Sequence, residues 1–114
     1  MRVATAIVLL CLAGPCLAEE DTAARYIFEI NIDGDTIVTH YFKAAAAPSP
    51  SPAVTWGSPS CPNAQYVYTR ELAGQKDVLA VAMNAIALGR SVVFRGACDT
   101  TGNYFRATRI IVVQ

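Results

Sequence analysis

The chain has 114 residues, of which 54% are hydrophobic and 16% are charged. This length is typical of one domain, and the hydrophobic fraction excludes a wholly disordered chain. Nine basic residues are balanced by nine acidic ones. That balance excludes the clustered positive surface that nucleic-acid binding requires, so we expect no nucleic-acid partner.

The N-terminal segment has the pattern of a secretory signal peptide. Arg2 is followed by an apolar run from Val3 to Leu12, and small residues precede the expected cleavage point after Ala18. The apolar run is shorter than the roughly 20 residues that a membrane-spanning helix needs. We therefore expect residues 1–18 to be removed. The rest is then one exported domain, secreted or periplasmic, without a membrane span.

Two cysteines, Cys61 and Cys98, remain in the mature chain. An even number of cysteines in an exported protein predicts a disulfide bond. A redox pair normally has C-x-x-C spacing. A metal site needs more ligands than these, and His40 is the only histidine. The sequence therefore predicts a structural disulfide and no metal or other cofactor.

The first two elements of the mature chain are predicted to form a β-hairpin. Residues 26–32 alternate between apolar and polar side chains in their later part, and residues 36–42 are rich in β-branched and aromatic side chains. The Asp-Gly-Asp sequence at 33–35 favours a turn between them. The acidic and polar segment 19–25 that precedes the hairpin is expected to fray.

Residues 44–60 are predicted to form a loop rich in Pro, Ser and Ala. The segment contains four prolines, which lack the N–H group that a central strand needs. Loops of this length are often functional or disordered. Trp56 lies within the loop, where two roles stay open: a lid folded back over the core, or an exposed ring that stacks on a sugar or anchors a partner.

The second half of the chain contains the one strongly predicted helix. Residues 75–88 are rich in good helix formers, and Gly89 is placed to end the helix. Short strands are predicted on both sides of it, at residues 63–69, 91–95 and 104–113.

The predicted helix lacks an obvious polar side. From Val78 to Leu88, Asn84 is the only polar residue, whereas a surface helix normally has a polar face. Either the alanines face solvent at low cost, or a partner covers them. In the second case Val78, Ala82 and Ala85 are the candidates for an oligomer interface.

The order of predicted elements indicates an α+β protein. We expect a small five-stranded antiparallel OB-like barrel or sheet, with one helix between strands 3 and 4 and one disulfide. Residues 61–114 also carry a family pattern: Cys61, the helix and strand DVLAVAMNAIALGRSVVF, then Cys98 and the closing strand ATRIIVV. This pattern resembles the B subunits of the subtilase cytotoxin and typhoid toxin type, and related small exported bacterial proteins.

The resemblance implies an OB fold, a Cys61–Cys98 bridge and a ring of subunits whose helices surround a central pore. It also implies binding of cell-surface glycans. The loop at 44–60 departs from the family pattern, and we match none of the family's sugar-contacting residues to positions in this chain.

The sequence offers no catalytic constellation. His40 lies in the middle of a predicted strand, and no G-x-S-x-G motif is present. Asp33 and Asp35 lie in a turn, where carboxylates are solvated and rarely have the raised pKa that general acid catalysis needs. We therefore expect a protein that is not an enzyme.

Two kinds of binding function fit these residues. The first is an exported binding module of the toxin B-subunit type that recognises glycans as a homo-oligomer. Its candidate ligand-binding residues are Trp56, Tyr41, Tyr66 and Tyr68. The second is a monomeric periplasmic inhibitor or accessory protein that binds another exported protein through the loop at 44–60.

Overall fold

The structure, a computed structural model, describes residues 19–34, 38–48, 51–70, 75–99 and 103–114. The predicted signal peptide lies outside these residues. Within them the chain forms seven strands and one helix. In chain order these are β1 (Glu20–Asp21), β2 (Tyr26–Asp33), β3 (Thr39–Ala45), β4 (Ala53–Val54), β5 (Tyr66–Arg70), α1 (Gln75–Leu88), β6 (Val92–Cys98) and β7 (Tyr104–Val112).

The strands belong to one mixed sheet. Their order is β1-β6-β7-β5-β3-β2, with β4 beside β3, and β5 and β7 pair in parallel. The prediction of five antiparallel strands is therefore wrong in number and direction, and the sheet is open rather than a closed barrel. The two additional strands, β1 and β4, have two residues each. The single helix and the mostly β character of the prediction are confirmed for the described residues.

The two ends of the sheet are formed by consecutive parts of the chain. β1 pairs with β6 and β2 pairs with β3. Between them, Arg25 and Val92 exchange two backbone hydrogen bonds, of 3.0 and 2.7 Å. The same segment therefore pairs with β6 up to Arg25 and with β3 from Tyr26 onward. This change of partner curls the sheet around its core.

The N-terminal segment, expected to fray, is held against the sheet. The backbone N–H of Thr22 donates to the carbonyl of Phe94 (2.8 Å), and the N–H of Phe94 donates to the Thr22 hydroxyl (3.0 Å). Arg95 also forms an ion pair with Asp21 at 3.0 Å. The prediction failed because these partners lie more than 70 residues away in sequence, where a local pattern carries no information about them.

The helix packs on the sheet through its small side chains. Val78, Ala82 and Ala85 are all buried in the core of this one chain. They therefore do not form an oligomer surface, and that assignment is wrong, since the spacing that places them on one helix face turns that face towards the sheet. The exposed side carries other large apolar residues: Val81, Met83, Ile86 and Leu88.

The predicted helix boundary at its C-terminus is confirmed. The helix ends at Leu88, and Gly89 has a φ of 64°, a conformation that glycine adopts without strain. The N–H of Arg90 then donates to the carbonyl of Ala85 at 2.9 Å. This bond supplies a partner for one of the carbonyls at the helix end.

The core is centred on three aromatic rings. Phe94 lies 5.1 Å from Phe42 and 5.0 Å from Trp56, measured between ring centroids. Trp56 is fully buried, and its indole N–H donates to the carbonyl oxygen of Phe42 at 2.9 Å. Of the two roles that the sequence left open for Trp56, the structure therefore shows the first: the side chain is folded over the core and is not an exposed ring.

The predicted disulfide between Cys61 and Cys98 is present, with the two Cα atoms 5.5 Å apart. Cys61 is buried in the core. The bond ties the segment that precedes β5 to the end of β6. Because it closes the part of the chain that includes the helix, it restricts the unfolded chain and stabilises the fold.

Candidate ligand-binding face

Four of the five tyrosines come together on one side of the sheet. Side chains two residues apart in a strand point to the same side, so Tyr66 and Tyr68 of β5 share a face. Tyr41 of β3 pairs with Tyr68, and Tyr104 of β7 pairs with Tyr66. We call these four residues the tyrosine face.

The rings of the tyrosine face contact one another closely. Tyr66 and Tyr104 are stacked, with centroids 5.6 Å apart and an interplanar angle of 17°. Tyr41 is edge-on to both, at 6.3 and 6.1 Å, and lies 6.0 Å from Tyr68. Each such aromatic pair contributes about 0.5–1.5 kcal/mol beyond its buried area. The four rings therefore form one contiguous cluster, in which Tyr41, Tyr66 and Tyr104 are half-buried and Tyr68 is buried.

Two shallow depressions adjoin this surface, and Tyr41 and Tyr104 line both. The first has a volume of about 260 Å³ and the second about 310 Å³. The first is also lined by Thr39, Tyr68, Arg70 and Asp99. The second is also lined by Asn31, Asp33 and Tyr66. Polar side chains of both charge signs and a neutral amide therefore surround the aromatic rings.

The polar group closest to the rings is a hydrogen-bonded pair. The Tyr68 hydroxyl donates to a carboxylate oxygen of Asp99 at 2.8 Å. Burial raises the pKa of Tyr68, and the hydrogen bond to Asp99 and the negative charge of its carboxylate raise that pKa further. Tyr68 therefore stays neutral at physiological pH, and the pair offers carboxylate oxygens at the edge of the first depression.

Two cations lie near rings of the face. The ammonium nitrogen of Lys43 is 5.6 Å from the centroid of Tyr66, and the guanidinium carbon of Arg70 is 5.9 Å from that of Tyr68. A cation within about 6 Å of a ring is attracted by its negative face. These contacts hold two long side chains near the rings, where their N–H groups can donate to a ligand.

The structure brings together three of the four predicted ligand-binding residues. Tyr41, Tyr66 and Tyr68 belong to the tyrosine face, whereas Trp56 lies in the core and is not part of it. Sequence reasoning missed Tyr104. Its position at the start of the last strand was visible, but its place beside Tyr66 depends on the parallel pairing of β5 and β7.

His40 has a structural position. It is 2% exposed and pairs with Thr69 of β5 in the sheet register. The Nδ1 atom of His40 and the hydroxyl of Thr69 are buried without a hydrogen-bond partner among the described residues. The imidazole is therefore enclosed by the core and does not reach the tyrosine face. The described residues also contain no cluster of three or more His, Cys, Asp or Glu side chains that could hold a metal ion.

The described part of the segment at 44–60 lies against the domain. Its strand β4 pairs with β3, and Ser58 is buried. The Nε of Arg25 donates to the carbonyl of Thr55 at 3.0 Å. Trp56 and Ser58 thus lie in or against the core, whereas residues 46–48 and 52–53 are exposed. The alternative of an inhibitor that acts through this segment stays a prediction.

No helix among the described residues is long and apolar enough to cross a membrane. No protein-family model, curated protein or solved structure matches the chain. The resemblance to toxin B subunits therefore stays a prediction.

Proposed function

We propose that the protein is an exported, non-catalytic binding module that holds a carbohydrate on the tyrosine face. The observation that carries this proposal is the cluster of four tyrosines between two depressions lined by carboxylate, amide, hydroxyl and guanidinium groups. A sugar ring has an apolar C–H side and a rim of hydroxyl groups. It therefore requires an aromatic surface with hydrogen-bonding groups around it, which is the general composition of ligand sites.

The size of the face fits more than one sugar unit. Tyr41 lies between the two depressions, and neighbouring ring centroids in the cluster are about 6 Å apart. One unit in each depression would place both against Tyr41 and Tyr104. Asp99 at one end and Asn31 at the other then supply hydrogen-bonding groups for hydroxyls. The ligand is accordingly a short oligosaccharide, at least a disaccharide.

The five long strands pair in the order β6-β7-β5-β3-β2, with β5 and β7 parallel. This order supports an OB-like arrangement. In OB folds, the face formed around strands 2 and 3, with the adjoining loops, binds oligosaccharides or oligonucleotides. The second and third long strands here, β3 and β5, carry three of the four tyrosines. The balanced charge of the chain favours the oligosaccharide, because single-stranded nucleic acid is bound in positively charged grooves.

Export is supported by the leader pattern and by the Cys61–Cys98 disulfide, because structural disulfides form in oxidising compartments.

The proposal also includes a homo-oligomer, which would present several copies of a weak sugar site at once and raise avidity. The exposed apolar residues on the outer side of α1 support it: Val81, Met83, Ile86 and Leu88. Native mass spectrometry of the mature protein measures the assembly state directly.

The carbohydrate proposal is tested by a glycan array followed by calorimetry with the oligosaccharides that bind. Tyr104→Ala removes a ring that lines both depressions, and we expect it to weaken binding by about tenfold or more. Tyr26→Ala is the matched control, since Tyr26 is half-buried and lines a different depression beside α1. Tyr26→Ala is expected to leave carbohydrate affinity unchanged.

The proposal fails if no glycan on the array binds the mature protein. It also fails if Tyr104→Ala keeps full affinity while circular dichroism shows an intact fold. A short single-stranded oligothymidylate serves as a competing probe. If this oligonucleotide binds more tightly than any sugar, the tyrosine face is a nucleic-acid site and not a carbohydrate site.

A further inference from the structure

Among the described residues, no strand pairs with the outer edge of β2. β2 lies at one end of the sheet order and pairs on one side, with β3. Edge strands expose a row of N–H and C=O groups, and proteins commonly protect them with Lys, Pro or a β-bulge. β2 contains neither Lys nor Pro, and its bulge lies between Ile27 and Glu29. From Glu29 onward the pairing with β3 is regular, so this part of the edge has the geometry of a strand template.

The two sides of β2 differ in chemistry. On the helix side, Phe28 is 48% exposed and Ile32 is 58% exposed. On the side of the tyrosine face, Glu29 and Asn31 are exposed, and the Asn31 amide donates to the Glu29 carboxylate. Lys43 of β3 is the register partner of Glu29, but its ammonium group lies over the Tyr66 ring, and no cation among the described residues forms an ion pair with Glu29. The edge therefore combines uncovered apolar area on one side with a negative charge on the other.

We propose that the edge of β2 at residues 28–32 binds an extended segment of another exported polypeptide, added to the sheet as a further strand. Backbone hydrogen bonds would supply the general attraction, as in other cases of strand addition. Because side chains alternate along a strand, the segment would present apolar residues to Phe28 and Ile32 and a basic residue to Glu29. Its sequence would alternate apolar and basic residues.

Charge argues against a second copy of this chain as the occupant. Pairing two β2 strands edge to edge would bring the side that carries Glu29 and Asp33 beside the same side of the other copy. Like charges on neighbouring strands destabilise the pair. A basic segment gains attraction from the same carboxylate, so complementarity of charge selects the foreign strand.

The test uses the mature protein, with its disulfide formed, and a capped peptide of sequence Thr-Val-Lys-Val-Lys-Val-Thr. Titration is followed by the backbone amide resonances of β2. We expect saturable binding, and about tenfold weaker binding of the peptide with Glu in place of both Lys residues. Glu29→Lys should reverse this preference. Asp77→Lys is the matched control, because Asp77 is an exposed carboxylate on α1, and it should leave the preference unchanged.

Strand addition is distinguished from simple charge attraction by two N-methylated peptides. In a strand, N–H groups alternate between the two edges, so methylating the Lys nitrogens blocks one edge and methylating the Val nitrogens blocks the other. We expect one of these peptides to keep its affinity and the other to lose about tenfold or more.

Equal affinity of the two methylated peptides would overturn the proposal. So would a failure of the unmethylated peptide to bind. Sedimentation that finds a dimer of the mature protein, with the β2 amides protected from hydrogen exchange in it, would assign the edge to a second copy instead. None of these results depends on sugar binding, so the outcome is independent of the carbohydrate proposal.

Discussion

Replacement of Trp56 tests the structural role that burial assigns to it. The indole is fully buried, packs edge-on against Phe94 at 5.0 Å and donates to the carbonyl of Phe42. A tryptophan buries about 200 Å², and at about 25 cal/mol per Å² this corresponds to about 5 kcal/mol. Measured costs of truncating a buried Trp to Ala are about 3–5 kcal/mol. We therefore expect Trp56→Ala to lower the free energy of unfolding by about 4 kcal/mol.

A second variant separates packing from hydrogen bonding. Trp56→Phe keeps an aromatic ring beside Phe94 but leaves the carbonyl of Phe42 without the indole donor. Loss of one partner from a buried hydrogen bond costs about 1–3 kcal/mol, so this variant should lie between the wild type and Trp56→Ala.

The assay is urea denaturation of the mature, disulfide-bonded protein, followed by far-ultraviolet circular dichroism because both variants lack the only tryptophan. A domain of this size is stable by about 5–15 kcal/mol, so the expected losses are large shifts of the midpoint. A cost below about 1 kcal/mol for Trp56→Ala would refute the burial argument. If Trp56→Phe folds but loses carbohydrate binding, the residue acts in recognition after all.

Three further predictions follow from particular contacts. Replacing both Cys61 and Cys98 by Ala should cost about 4 kcal/mol of stability, from a loop with a sequence separation of 37, as measured by denaturation of variant and wild type side by side. Gly96→Ala should cost about 3 kcal/mol or prevent folding, because a Cβ there would lie 1.9 Å from a backbone carbonyl oxygen of β7. Gly34→Ala is its control in the same thermal melts, since nothing lies within 4 Å of a Cβ at that position. Tyr68 should ionise above its ordinary pKa of 10.0, because burial and its carboxylate partner raise the pKa. Its contribution to stability is therefore fully present below pH 10.0 and is lost as the pH rises beyond it. Tyrosinate absorbance is titrated for the wild type and for Tyr68→Phe. If the contact with Asp99 were wrong, the difference between the two curves would show no tyrosine that ionises above its ordinary pKa.

Local sequence signals were sufficient for several parts of this fold. The helix from Gln75 to Leu88 follows from a run of good helix formers that ends at Gly89, and all of these signals lie within one segment. The β2–β3 hairpin follows in the same way from two β-rich runs separated by a turn sequence. The Cys61–Cys98 bond followed from counting, because the chain that remains after the predicted signal peptide contains a single possible pair.

Pairing between distant segments decided the parts that the sequence left open or predicted wrongly. From the sequence, the alanines of α1 were expected either to face solvent or to be covered by a partner chain, and the structure shows neither for Ala82 and Ala85. Packing against the sheet buried Ala82 and Ala85 and left Met83 and Leu88 exposed. Helical periodicity identifies which residues share a face, but the direction of that face depends on where the sheet lies.

The candidate site shows the same division. The sequence by itself determined that Tyr66 and Tyr68 share one side of a strand, because alternation is a property of the strand alone. The tertiary structure decided that Tyr41 and Tyr104 stand beside them and that Trp56 does not. The parallel register of β5 with β7 joins segments nearly 40 residues apart. Such a register is selected by how the whole core packs, and no local pattern encodes it.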